Sequence, residues 1–153
     1  VSIDLTPYRR EGRLDGRCLC GSVTMTIDGA YVAAVGACHC AMCRRWAGTV
    51  FAGFNARPEG VTISGEVAVY PSSDFAERAF CPRCGSHLWF RDTRDGADYE
   101  FAPGAFAEAK AFPLISEIYI DRVPAYARLA GDHATATRAD YEARSPFVEG
   151  DDP

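Results

Sequence analysis

The amino-acid sequence predicts a mainly β domain built around metal, and three observations carry that prediction. Short runs rich in β-branched and aromatic residues recur at intervals of roughly ten residues, punctuated by glycine, proline and aspartate. Between them no stretch keeps the helical period that a βαβ unit would need. Finally, all seven cysteines fall into three tight groups, Cys18-Leu-Cys20, Cys38-His-Cys40-Ala-Met-Cys43 and Cys81-Pro-Arg-Cys84.

Taken in chain order, Val1–Gly12 has mixed polarity and no period, and from Leu14 the pattern turns β. Ser22–Ile27 alternates apolar and polar side chains, and Asp28-Gly29 reads as the turn that closes it. Val32–Ala37 is a strand leading into Cys38. Ala41–Ala47 holds good helix formers and predicts a short helical turn stopped at Gly48. Val50–Phe54 is a buried strand, and Val61–Ser64 and Val67–Tyr70 flank a turn at Gly65-Glu66. Phe75–Phe80 and Leu88–Arg91 are the arms of a hairpin whose tip carries Cys81 and Cys84. Tyr99–Ala102 and Ile115–Ile120 are later strands, separated by a loop over Pro103–Pro113 with one helical turn across Ala105–Ala109. No repeat or linker divides the chain. A single zinc-binding domain over residues 1–144 is expected, followed by an acidic, mobile tail over 145–153.

Zinc held by four thiolates is closed and structural, whereas three protein ligands leave a position open. Seven cysteines divide into four plus three, so one site of each kind is expected. Cys18 and Cys20 pair with Cys81 and Cys84 across a long separation and staple distant segments together. Gly85 permits the tight turn of a zinc knuckle there. Cys38, Cys40 and Cys43 lie on one local segment, so the ion they hold keeps an exposed side. Other readings of the clusters are a disulfide framework, a thioredoxin-like redox pair at Cys81 and Cys84, and iron in the four-thiolate site. The odd count and the lack of an apolar leader argue against disulfides. Gly85–Phe90 reads as a turn into a strand, where a redox pair would open a helix. Two zinc ions per chain are therefore expected. His39, between two ligands, is expected to be aimed away from the ion, facing solvent or hydrogen-bonded. His87 is a strand residue near the metal, and His133 carries no metal spacing.

Bulk properties narrow the function classes. At 153 residues and 48% apolar composition the chain can bury a core of its own. The net charge of −5 and pI near 5.2 argue against nucleic-acid binding. No apolar run approaches the ~18 residues that cross a bilayer. Free thiols point to a reducing compartment, the cytoplasm.

Three segments together resemble one family. Gly16-Arg-Cys18-Leu-Cys20-Gly-Ser-Val23, Cys38-His-Cys40-Ala-Met-Cys43-Arg-Arg-Trp-Ala-Gly48 and Arg78-Ala-Phe-Cys81-Pro-Arg-Cys84-Gly-Ser-His-Leu88 are similar to the glutathione-dependent formaldehyde-activating enzyme family, which also contains centromere protein V. The resemblance implies several small, coiled antiparallel sheets around a structural zinc, akin to methionine-R-sulfoxide reductases and a Rab exchange factor. It implies structural zinc on Cys18, Cys20, Cys81 and Cys84, and a labile, functional zinc on Cys38, Cys40 and Cys43. It also implies a carbon–sulfur lyase activity, the reversible addition of glutathione or a similar thiol to formaldehyde. Two positions depart from the family pattern: Glu117 stands where a histidine is usual before the Ile of the last strand, and Tyr126 replaces a closing Trp.

In that reading Arg44, Arg45 and Arg78 are candidates to grip the carboxylates of an anionic thiol through bidentate contacts. Two competing functions are a non-enzymatic carrier of zinc or thiol and an interaction module shaped by zinc. The module would call for a basic extension, and the sequence has none.

Overall fold

The computed structural model describes residues 3–148, so Glu149–Pro153 of the expected acidic tail lie outside the described residues. In chain order the strands are β1 (Arg9–Arg17), β2 (Thr24–Val32), β3 (Val35–Cys38), β4 (Phe51–Ala56), β5 (Val61–Ser64), β6 (Ala68–Ser73), β7 (Ala76–Phe80), β8 (His87–Asp92), β9 (Tyr99–Phe101), β10 (Leu114–Ile118) and β11 (Ala134–Ala136). The α-helices are α1 (Ala41–Ala47) and α2 (Arg138–Arg144). The described residues form two compact units, one of residues 5–34 and 53–112, the other of residues 3–4, 35–52 and 113–148.

The larger unit is antiparallel throughout. β1 and β2 form a long hairpin in register from Arg9↔Val32 to Arg17↔Thr24, and β2 also pairs with β5. The end of β4 pairs with β9, followed by β8, β7 and β6. As expected, β7 and β8 are the arms of a hairpin around Cys81 and Cys84. The tip of the β1–β2 hairpin carries Cys18 and Cys20 in the same way.

Three sequence expectations are corrected here. β1 starts at Arg9, ahead of the β pattern expected from Leu14, because only Leu14 and Gly16 of the strand are buried; the apolar face of β2 supplies its template. Asp28-Gly29 is not a turn, and β2 runs through it to Val32. Gly29 serves a close approach instead, since a Cβ there would lie 3.1 Å from Gly60 Cα. β5 and β6 do not pair with each other. Gly65, at φ 97°, packs its α-carbon against the Ser22 carbonyl, where a Cβ would come within 2.1 Å. The chain leaves β5 in a left-handed conformation that sends β6 to β7.

The core of this unit is aromatic. Phe54 meets Phe106 at 5.2 Å and Phe112 at 5.4 Å edge-on, and Phe101 meets Phe106 at 5.3 Å. Cys18 and Cys81 belong to the same buried cluster as Met25, Leu88 and Trp89, so the four-cysteine loops are rooted in the core. Phe106 lies directly over Gly16, where a Cβ would approach the ring to 2.6 Å. Gly16→Ala is therefore expected to cost about 1–3 kcal/mol by overpacking, read as a lower denaturant midpoint at unchanged slope.

The smaller unit is arranged differently. β10 runs parallel to both β3 and β11, with Ile118 opposite Cys38 and Ala136. This corrects the expectation of antiparallel sheets throughout: long connections rather than hairpins join these strands, and only such connections allow parallel pairing. α1 forms as predicted, ending at Gly48 in the left-handed conformation at φ 81°. β11 and α2 were not expected from the sequence. A capping box starts α2, with Thr137 Oγ1 accepting from Asp140 N and Asp140 accepting from Thr137 N.

Candidate metal centres

Two groups of sulfur atoms converge, one in each unit. Cys18, Cys20, Cys81 and Cys84 form one, and Cys38, Cys40 and Cys43 the other; within each, the sulfurs all lie within 4.8 Å of one another. All seven are thiols rather than disulfides. This division into four and three matches the sequence expectation.

In the four-cysteine group two hairpin tips repeat one local design. Each begins with its first cysteine donating its N–H to a carbonyl across the tip, Cys18 to Val23 at 3.1 Å and Cys81 to Ser86 at 2.9 Å. Each places its second cysteine before a glycine of positive φ, Gly21 at 80° and Gly85 at 74°. A serine follows. Ser22 Oγ lies 3.0 Å from Cys20 Sγ and 3.3 Å from Cys81 Sγ, and Ser86 Oγ lies 3.2 Å from Cys84 Sγ. The repeated Cys-Gly-Ser of residues 20–22 and 84–86 was the sequence signal for these hydroxyls, and it passed unused.

The spacing suits a tetrahedral thiolate site. Zinc–sulfur bonds of about 2.3 Å in a tetrahedron separate sulfurs by about 3.8 Å. Here Cys18 and Cys20 are 3.6 Å apart and Cys20 and Cys81 are 3.8 Å apart. The local donors also favour thiolates. The Ser86 hydroxyl, then backbone N–H groups, bring Cys84 down to about 5. Burial opposes ionisation of Cys18, yet the Val23 N–H and neighbouring side chains bring it to about 7. Cys20 moves the other way and is raised: Ser22 donates to it, but burial and the adjacent Cys18 and Cys84 sulfurs outweigh that donation.

The three-cysteine group has other surroundings. Cys38 closes β3, Cys40 caps α1 and Cys43 stands in its first turn, with Cys43 N donating to Cys40 Sγ at 3.3 Å. Cys38 is pushed well above the ordinary thiol range by contact with Cys40, then Cys43, then burial. Three sulfurs this close cannot all be thiolates without a cation among them. A soft divalent ion fits that donor set.

The histidines are resolved as follows. His39 is fully buried and stands outside the sulfur group. Its Nε2 meets Glu117 Oε1 at 2.5 Å, so the hydrogen-bonded alternative holds and the solvent-facing one does not. His133 Nε2 meets the other oxygen of Glu117 at 2.6 Å. Its involvement had no signal in local spacing, because only the fold brings residues 39, 117 and 133 together. His87 opens β8 beside the knuckle and is not in either sulfur group.

Tyr119 borders the three-cysteine group as well. It is the non-glycine residue with positive φ (57°) among the described residues, and its hydroxyl donates to Glu142 Oε1 at 3.2 Å. Burial, then the charge of Glu142 and of Cys40, keep that hydroxyl protonated.

The three candidate arginines are placed unequally. Arg44 and Arg45 lie on α1 directly after Cys43; Arg44 Nε donates to the His39 carbonyl at 2.9 Å, and Arg45 is exposed. Arg78 belongs to the larger unit, only 3% exposed, with its guanidinium 5.0 Å above the Phe90 ring. Glu100 follows Phe90 in the same cross-strand row, and burial pushes its carboxyl up to about 7 against the pull of Arg78.

Comparison with known proteins now bears on these centres. The profile of the glutathione-dependent formaldehyde-activating enzyme family matches residues 13–122, a span holding all seven cysteines. The chain belongs to this family. A Schizosaccharomyces pombe protein named as an uncharacterized lyase is 30% identical over 111 residues, covering 72% of this chain and 80% of that protein. A Halomonas elongata protein with the provisional name glutathione-dependent formaldehyde-activating enzyme is 29% identical over 90 residues. That match spans 53% of this chain and 57% of the relative. A crystal structure of a Rhodobacter sphaeroides protein has a TM-score of 0.53 at 20% identity, covering 66% of this chain and 99% of that one, a likeness of fold alone. No helix among the described residues is long and apolar enough to cross a membrane.

Proposed function

We propose that this family member is a carbon–sulfur lyase that promotes the reversible addition of a small thiol, glutathione or a similar one, to formaldehyde or another small aldehyde. Zinc is the ion proposed for both centres, and the three-cysteine centre is the site of chemistry. The observation that carries this reading is an incomplete sulfur shell: Cys38, Cys40 and Cys43 converge without a fourth ligand among the described residues. When bound there, zinc would supply a soft Lewis acid that lowers the pKa of a thiol reaching its open position. In the addition the S–C bond forms as the carbonyl π bond breaks, and the thiol proton ends on oxygen; the reverse reaction breaks the S–C bond.

The chain's own residues set the geometry. Extended backbone at Cys40 (φ −61°, ψ 158°) joins the strand that holds Cys38 to the helix that holds Cys43. Arg45, exposed on the same helix, is the arginine best placed to meet a carboxylate arriving from solvent. Arg44 is partly committed to the His39 carbonyl and steadies the loop.

A second reading, a carrier of zinc or thiol, draws support from Cys38. Its raised pKa makes metal uptake compete with protons, and three thiolates leave a divalent ion with net negative charge. The two are separated by the exchange of formaldehyde and glutathione signals in NMR. Zinc-loaded protein is expected to accelerate that exchange at least severalfold over the protein-free reaction, and Arg45→Glu to weaken glutathione binding by about tenfold in calorimetry. No acceleration with glutathione or with other small thiols would leave the carrier.

A further inference from the structure

We infer that Glu117 is the positioning residue of the three-cysteine centre: by clamping His39 and His133 it holds the Cys38-His39-Cys40 segment with both thiols toward the ion. The inference rests on the proposed function in taking that centre to bind metal.

Glu117 sits in the middle strand of a parallel trio, opposite Ala37 on β3 and Thr135 on β11, and is 2% exposed. A carboxylate so deeply buried is costly unless donors satisfy it. Each of its oxygens has one imidazole, His39 at 2.5 Å and His133 at 2.6 Å. Because a carboxylate only accepts, both rings present Nε2–H, which fixes their orientation. His39 Nδ1 has no hydrogen-bond partner among the described residues, so this ring is held from the Glu117 side. Backbone pairing tightens the same joint, with His39 N donating to the Ile118 carbonyl at 3.1 Å.

The consequence for the thiols follows from the alternation of extended chain. Residues i and i+2 share one face and residue i+1 takes the other. Drawing His39 onto Glu117 therefore turns Cys38 and Cys40 together to the opposite side. The two histidines contact different oxygens, and the three residues do not form a group of mutually close ligand atoms. They act as a clamp rather than as a third metal site. Outer contacts of this kind typically govern metal affinity by 10–100-fold.

The test is cadmium NMR of the full chain, which resolves the four-sulfur and three-sulfur sites separately, combined with zinc competition against a chromophoric chelator. Glu117→Gln keeps the shape but offers one acceptor oxygen in place of two. It is expected to lower affinity at the three-cysteine centre by about 10–100-fold and leave the four-cysteine centre unchanged. His133→Asn, removing the outer arm, should act in the same direction with a smaller loss. Affinity in Glu117→Gln within twofold of wild type, or equal loss at both centres, overturns the inference while the proposed function stands. A wild-type chain that takes up no ion at the three-cysteine centre overturns both.

Discussion

Cys81→Ser is expected to unfold the larger unit under conditions in which Cys43→Ser leaves a folded chain. Cys81 is wholly buried and packs in the same cluster as Leu88, Trp89 and Phe101. Its thiol also belongs to the group that joins the β1–β2 hairpin tip to the β7–β8 tip, which are 61 residues apart between Cys20 and Cys81. Structural zinc contributes about 10–16 kcal/mol in small zinc-dependent peptides, against a typical net domain stability of about 5–15 kcal/mol. Losing one ligand forfeits a large part of that contribution. A loss of about 4 kcal/mol would lower the Tm of a chain this size by about 10 °C or more. Cys43 is different: it sits on one short segment, and its N–H keeps the bond to Cys40 Sγ after the side chain is changed. Its replacement should cost about 1 kcal/mol of fold and most of the affinity at the second centre. Thermal melts with metal analysis decide the matter. The assignment of a structural and a functional centre fails if Cys43→Ser melts lower than Cys81→Ser.

The three cysteine clusters were readable from local spacing because each lies on a short segment whose conformation its own residues dictate, and the division of seven into four and three then required two of those segments to meet. Gly85, Gly48 and the alternating arms around Cys81 and Cys84 are local signals, and α1 and the β7–β8 hairpin formed where they pointed. What escaped was decided at a distance. The start of β1 ahead of Leu14 depends on the face of β2, and Gly29 depends on Gly60, so neither announces itself in its own stretch. Parallel pairing of β10 with β3 depends on the course of the intervening chain. The Glu117 clamp is the sharpest case. The residue could be recognised as a departure from the family's usual histidine, but not as a carboxylate between two imidazoles, 78 and 16 positions away from it. The local signal at α2 was available, since Thr137 and Asp140 stand at capping-box spacing ahead of good helix formers.

Acidification is expected to empty the three-cysteine centre while the four-cysteine centre keeps its ion. Metal binding displaces thiol protons, so each ligand still protonated in the apo site costs about one decade of affinity per pH unit below its pKa. Cys38 is raised well above the ordinary range by Cys40, by Cys43 and by burial, so it exacts this cost across the whole neutral region. At the other centre Cys84, near 5, is already a thiolate at pH 7, and Cys18, near 7, is about half ionised. Cys20 opposes this in part, being raised, but it is one ligand among four. The sign follows directly: a lowered pKa favours metal retention until the pH falls through that value, whereas a raised one weakens retention throughout the range beneath it. Lowering the pH from 8 to 6 should therefore weaken zinc at both centres, through Cys38 at one and through Cys20 and in part Cys18 at the other, and the centre with three sulfurs, which starts with one ligand fewer, should lose its ion first. Brief exposure to a chelator at pH 6 should remove one ion per chain and leave the fold intact by circular dichroism. Simultaneous release of both ions, or retention of the three-cysteine ion at a pH where the other is lost, would reverse the roles assigned to the two centres. It would also remove the physical reason for placing exchangeable chemistry at Cys38, Cys40 and Cys43.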